Sequence, residues 1–298
     1  MSAAFFSSLE RPRDPRPMAL FRIAFFAGLL VHFAPSLLAV DVEYAVDAAR
    51  LRLHNGWLYT HLSELPRPLV RGLAVALLVA IGAGIVGWKT RLASAMTMLL
   101  SWVFASFNAL PVQTIALGCA WSLLPVLAVF PGAASVWSVD ALRARRAGRA
   151  PSPPTTVANL SLFLVVLPFF GAGIEKIVAG WMTTNEMAML FRTPPGYILR
   201  DIAFALPLQA PWFSAGIGGL TIVVELAAPV LLLFRRTRLI GLFLWEALFV
   251  GIVALIEVPP LFFAIFFFGV LLFLDADDLE RLRLRRTARG QGASATLR

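Results

Sequence analysis

Residues 92–139 read LASAMTMLLSWVFASFNALPVQTIALGCAWSLLPVLAVFPGAASVWSV, forty-eight positions without one charged side chain. As a single helix this run would be about 72 Å long, more than twice the roughly 30 Å hydrocarbon core of a bilayer. It must turn back on itself, and Asn108-Ala109-Leu110-Pro111 supplies the turn. Asn favours turns, and Pro cannot donate a helical hydrogen bond. The same logic, applied outward, gives eight candidate spans: Pro17–Val40, Leu69–Trp88, Leu92–Leu110, Val112–Phe130, Val157–Ile177, Phe213–Phe234, Leu239–Ile256 and Pro260–Leu274. Glu257-Val258-Pro259-Pro260 separates the last two. The eighth is short and Phe-rich, and is expected to tilt little or to cross incompletely. The first is expected to be a retained anchor, because its apolar run is too long for a signal peptide and Arg22 interrupts it.

Composition agrees with this picture. Of 298 residues, 59% are apolar and 14% charged, and the mean hydropathy is +0.80. Those values exclude an ordinary water-soluble domain and a disordered chain. A single cysteine, Cys119, excludes an intrachain disulfide framework. The balance of 26 Lys+Arg against 17 Asp+Glu gives a net charge of +9. Only Lys89 and Lys176 are lysines, and most of the basic residues lie between apolar runs, so the excess is a membrane signature and nucleic acid is not the expected partner. With both termini cytoplasmic, 18 basic residues fall on inner segments and 6 on outer ones. The expected fold class is therefore all-α, a polytopic membrane helix bundle of about eight transmembrane helices with both termini in the cytoplasm. Residues 1–16 are expected to form a cytoplasmic N-terminal segment, 17–274 the transmembrane domain, and 275–298 a cytoplasmic, disordered tail. Two outer loops are long, Asp41–Pro68 and Gly180–Trp212, and the inner segment Trp137–Pro154 is expected to hold a short interfacial helix.

Few motifs carry chemistry. Gly82-Ala83-Gly84-Ile85-Val86-Gly87 matches the dinucleotide pattern, but that pattern works only between a strand and a helix. Inside an apolar span it reads as small residues allowing close helix packing. His54 and His61 share a loop with Asp41, Glu43 and Asp47, at spacings that fit no familiar metal-ligand pattern; no metal site is assigned. The informative residues are the ionisable ones inside spans, since charge in a bilayer usually faces a partner or a cavity. They are Arg22, Glu175, Lys176, Glu225 and Glu246, with His32 as a polar companion. Arg22 has two readings: a side chain reaching back to lipid phosphates, or a planar pair with a carboxylate. Lys176 also has two. It is an anchor at a span end, or an amine in an apolar, outward-opening cavity that acts as a base. In the second reading Glu175 tunes its basicity, and Gly171 and Gly173 leave room for a ligand. Glu225 and Glu246 also suit a transporter as coupling carboxylates, although no inverted repeat is visible.

Three segments carry a family resemblance. Arg11-Pro12-Arg13-Asp14-Pro15 with Leu20-Phe21-Arg22, Trp137-Ser138-Val139-Asp140 followed by an Arg-rich turn, and Ala172-Gly173-Ile174-Glu175-Lys176 with Trp181 are similar to successive parts of the membrane domain of vitamin K-dependent γ-carboxylases. The chain thus resembles a horizontally transferred transmembrane (HTTM) domain protein, with weaker similarity through Glu225-Leu226-Ala227-Ala228. The resemblance implies a site open to the outer side for a lipid-soluble quinol such as vitamin K hydroquinone. Lys176 stands at the position of the carboxylases' catalytic lysine, and Gly171, Gly173, Trp181, Glu225, Glu246 and Arg22 are the candidate binding residues. Glu175 stands where the carboxylases carry a second lysine, and no histidine follows His61. The chain ends soon after its last span, so complete γ-carboxylation by this chain alone is not expected. Another branch of the family implies a second role, as an auxiliary membrane protein in maturing an exported peptide. Expected partners are the lipid bilayer and a lipid-soluble small molecule or an exported peptide, in a multi-pass protein of the bacterial inner membrane.

Overall fold

A computed structural model describes residues 13–40, 65–105, 111–182, 210–234, 236–255 and 260–274. Among the described residues the chain is helical and contains no strand. The helices are α1 Pro15–Leu38, α2 Arg67–Val86, α3 Thr90–Ala105, α4 Pro111–Val129, α5 Val139–Arg146, α6 Thr155–Val178, α7 Pro211–Leu233, α8 Arg238–Leu255 and α9 Pro260–Gly269, the last continued by a 3₁₀ turn Val270–Phe273. Four of them, α1, α2, α6 and α7, have 20 to 24 residues and are long and apolar enough to cross a membrane. These apolar helices mark the chain as an integral membrane protein. The histidines of the first outer loop, Glu257, most of the loop Gly180–Trp212 and the tail after Leu274 lie outside the described residues.

Local chemistry sets the helix ends. Asp14 caps α1: its carboxylate accepts from the Arg16 amide at 2.9 Å, and Pro15 occupies the first turn, where a missing N–H costs nothing. Hydrogen bonding from the Arg16 side chain holds the Asp14 carboxyl below its ordinary range. Pro111, Pro211 and Pro260 open α4, α7 and α9 in the same way. Ser138 caps the eight-residue α5 through its hydroxyl, which accepts from the Ala141 amide at 2.9 Å. Asp140 lies in the first turn of that helix and three arginines in its last, as the helix dipole favours.

α1 is the most buried of the long helices. Met18, Phe21, Phe25, Phe26 and Leu29 are all shut away from solvent. Its neighbours are α2 on one side and α9 on the other, and α9 also touches α4, α6 and α8. α9 is apolar all round, as expected of a helix without a solvent face. With its 3₁₀ turn it spans only about 23 Å, short of the hydrocarbon thickness. Val75, Val79, Leu99, Trp102, Phe163, Leu220 and Phe243 are large apolar side chains exposed on the outside, where a bilayer replaces water as the solvent.

Arginines close three helix C-termini. Arg22 donates to the last-turn carbonyls of α2, Arg91 Nε to Ala128 O of α4 at 2.8 Å, and Arg238 Nε to Leu232 O of α7 at 3.4 Å. A helix end leaves carbonyls without partners, and a guanidinium satisfies them while complementing the dipole. Part of the basic excess therefore has a specific structural use beyond orienting the chain.

Candidate functional site

Two polar centres stand out, at opposite ends of the bundle. The first is built on Arg22. Its side chain is fully buried, and Nη1 donates to Gly84 O at 2.8 Å and Ile85 O at 3.1 Å. Nη2 donates to Trp137 O at 2.8 Å. Neither sequence-based reading of Arg22 describes this contact set. It does not reach outward to phosphates, and it pairs with backbone carbonyls instead of a carboxylate. Gly87, with φ of 67°, ends α2 there, and a Cβ at that position would run into Arg22 Nη1 and Ser138. Asp140 completes the knot. Its carboxylate accepts from the Lys89 amide at 2.8 Å, the Thr90 amide at 2.9 Å and the Thr90 hydroxyl at 3.0 Å, which caps α3 from a distant part of the chain. The Trp137-Ser138-Val139-Asp140 motif thus joins three helix ends: a carbonyl for Arg22, a cap for α5 and a cap for α3. Asp140→Ala is expected to lower stability by about 1–2 kcal/mol, and Asp140→Asn by a similar amount, because both carboxylate oxygens accept and Asn would turn an NH2 donor toward one set of these donors. Thermal unfolding of the purified protein in detergent measures both.

The second centre is the ion pair of Lys176 with Glu225. Lys176 Nζ lies 2.6 Å from Oε1 and 2.7 Å from Oε2 of Glu225, so one ammonium serves both carboxylate oxygens. The side chains are 16% and 4% exposed respectively, so the carboxylate is buried and the lysine side chain is mostly buried. The Trp181 ring stands over Nζ at 5.0 Å, within cation–π range. Gly173 makes this meeting possible. A Cβ there would stand 3.0 Å from Leu226 and 3.2 Å from Glu225 Cβ, so a larger residue would push α6 away from α7. Gly173 is filled by its neighbour and leaves no ligand space, while Gly171 faces outward with nothing within 4 Å of its missing Cβ. Glu175 is exposed and is not the partner of Lys176.

The remaining candidates lie elsewhere. Arg13 Nε donates to Asn159 Oδ1 at 3.0 Å, which sets the start of α1 beside the start of α6. Arg22 therefore belongs to the end opposite Lys176, which lies about 25 Å further along α6 than Asn159. Glu246, on α8, is half-buried, and its Oε2 has no hydrogen-bond partner among the described residues. Its neighbour Trp245 stacks on Phe169 at 3.8 Å and donates to Phe266 O at 3.0 Å, tying α8 to α6 and α9. His32 is half-buried and packs edge-on against Phe33. Of the glycines at 82–87, Gly84 meets Phe26 of α1, Gly87 ends the helix and Gly82 touches nothing. Among the described residues no three of His, Cys, Asp and Glu come together as metal ligands.

The sequence profile of the HTTM domain matches residues 10–277, nearly the whole chain. The chain belongs to the HTTM domain family. No curated protein and no solved structure shows significant similarity to this HTTM protein.

Proposed function

We propose that this HTTM protein is a membrane-embedded acid–base protein of the γ-carboxylase-like type, and that the Lys176–Glu225 pair removes a proton from a lipid-soluble acid of the quinol class. The observation that carries the proposal is the pair itself: a buried carboxylate holding the amine of a partly exposed lysine side chain beside an aromatic ring. In an apolar setting the proton can pass from ammonium to carboxylate, leaving a neutral amine and a neutral acid. The amine then takes the proton of a quinol O–H, and the ammonium so formed faces the quinolate oxygen. The resemblance of Lys176 to the carboxylases' lysine supports the same assignment, and an anion of this kind is the species their chemistry begins from. Mass spectrometry of the native protein should find a retained quinone lipid. Anaerobic titration with the reduced quinone should then show quinolate absorbance that Lys176→Arg abolishes, because a guanidinium does not release its proton. Glu175→Gln should change nothing, since Glu175 is exposed and unpaired with Lys176. Absence of saturable quinol binding, or full quinolate formation by Lys176→Arg, would sink the proposal.

The bidentate geometry also favours a second reading, in which the pair is a latch between α6 and α7 and the protein is an auxiliary in maturing an exported peptide. In that reading Lys176→Arg, which keeps the charge, leaves maturation of the peptide intact.

The eight-span arrangement, with both termini and the tail 275–298 in the cytoplasm, belongs to the same proposal. A helix lies at each of the eight apolar stretches, and the arginine-capped C-termini of α2, α4 and α7 support one basic, cytoplasmic end. An impermeant thiol reagent applied from outside should label Ser63→Cys and spare Ser152→Cys. Cys119 is buried and adds no background. Labelling of Ser152→Cys alone contradicts the arrangement.

A further inference from the structure

The basic end of the bundle contains a cavity of about 530 Å³ between the start of α3, the end of α4 and the segments flanking α5. Arg91, Arg143 and Arg149 line it. No carboxylate pairs with any of the three among the described residues: Arg91 spends its Nε on Ala128 O, and Arg143 lies over the Trp88 ring at 5.9 Å. Asp140 also lines the cavity, but its oxygens are taken by the Lys89 and Thr90 donors. Ser135 is the second, independent sign of a ligand. It is 7% exposed, lines the same cavity, and its hydroxyl is buried without a hydrogen-bond partner. Buried hydroxyls are normally satisfied, and this one, in the wall of a cavity lined by three guanidinium groups that no carboxylate neutralises, lacks an acceptor. The wall that carries Ser135 is firmly set. Gly132, at φ of 107°, packs so tightly on Pro153 and Pro154 that no Cβ fits between them.

We infer that this cavity binds a phosphate group, carried by an anionic lipid headgroup or by a small soluble phosphorylated molecule. Guanidinium forks match phosphate oxygens in pairs, and the Ser135 hydroxyl supplies one further donor. The volume falls in the range of small-ligand pockets and exceeds what a bare ion needs. The site lies at the end of the bundle opposite the Lys176–Glu225 pair and does not depend on the function proposed for that pair.

The test uses the full chain in nanodiscs. In one arm the bilayer is phosphatidylcholine doped with phosphatidylglycerol, and native mass spectrometry counts the anionic lipid retained. In the other the bilayer is phosphatidylcholine alone, and inorganic phosphate and glycerol 3-phosphate are titrated in solution. Saturable binding is expected in at least one arm, and that arm identifies the source of the phosphate. Arg149→Gln, at an exposed position, should weaken binding at least tenfold, and Ser135→Ala, whose hydroxyl bonds nothing in the fold, about threefold. Arg146→Gln changes the same charge close by without lining the cavity and should leave binding intact. If Arg146→Gln weakens binding as much as Arg149→Gln, the attraction is diffuse surface charge and the inference fails. It fails equally if neither arm saturates.

Discussion

Replacing Arg22 with Met should lower the stability of the protein by about 3–5 kcal/mol, and Arg22→Lys should be nearly as damaging. The guanidinium makes three hydrogen bonds to carbonyls of two separate chain segments, at 2.8, 3.1 and 2.8 Å, from a position closed to solvent. Bonds to a charged donor contribute about 1.5–3 kcal/mol each, and Ile85 O and Trp137 O would lose the guanidinium donor while Gly84 O keeps only the Gly87 amide at 3.3 Å. Lysine keeps the charge, but a single ammonium on a flexible stem cannot span Gly84, Ile85 and Trp137 together. A side chain that merely reached for lipid phosphates would tolerate lysine. Denaturant titration of the three versions in detergent separates these outcomes, and equal midpoints for Arg22→Lys and the unaltered protein would refute the structural role. Loss of the cap should also loosen α5, since Trp137 O is one of the three acceptors.

The second large effect is expected at the outer pair. Lys176→Met alone leaves a buried carboxylate unpaired and should cost about 3–5 kcal/mol. Glu225→Leu alone strands the ammonium with a similar penalty. The double variant removes both charges and should recover most of the loss, because apolar replacements of a buried pair are often neutral or stabilising. If the single losses simply add in the double variant, the pair is not coupled. The double variant also separates fold from chemistry: stable, yet unable to generate quinolate, it would show that the pair acts on a ligand.

The helical elements were legible because bilayer thickness and Pro/Asn breaks leave little freedom in where an apolar chain can turn. The uncharged run at 92–139 divides into α3 and α4 at Pro111, and the arginine-bearing segment after Trp137 contains α5. The partner of Lys176 was not legible. Adjacency in sequence points to Glu175, but neighbours on a helix point about 100° apart, and α6 turns Glu175 outward. Glu225 is 49 positions away on another helix. The need for charge neutrality in an apolar medium was the available clue, since Glu225 is a carboxylate within a span with no basic residue near it in sequence. A charge at Arg22 inside an apolar span is visibly costly, but its acceptors are backbone carbonyls, which leave no trace in residue identity. Asp140 was visible only as part of a motif, because a cap supplied across 50 positions has no local signature.

The contact between α1 and α9 bears on how the protein is made. Gly28 of α1 sits so close to α9 that its missing Cβ would overlap Ala264, which joins the first long helix to the last. More than two hundred residues separate the end of α1 from the start of α9. At a synthesis rate of about 5–20 residues per second, α1 waits roughly 10 to 45 seconds in the membrane before its closest neighbour exists. During that interval its aromatic face meets lipid or an insertion chaperone, and Gly28 marks an open groove. The Arg22 charge is sheltered much sooner, since the α2 carbonyls emerge some fifty residues after α1 is complete. Assembly is therefore expected to proceed from the basic end, with the α1–α2 capped hairpin as a waiting intermediate and the arrival of α9 as the event that seals the bundle.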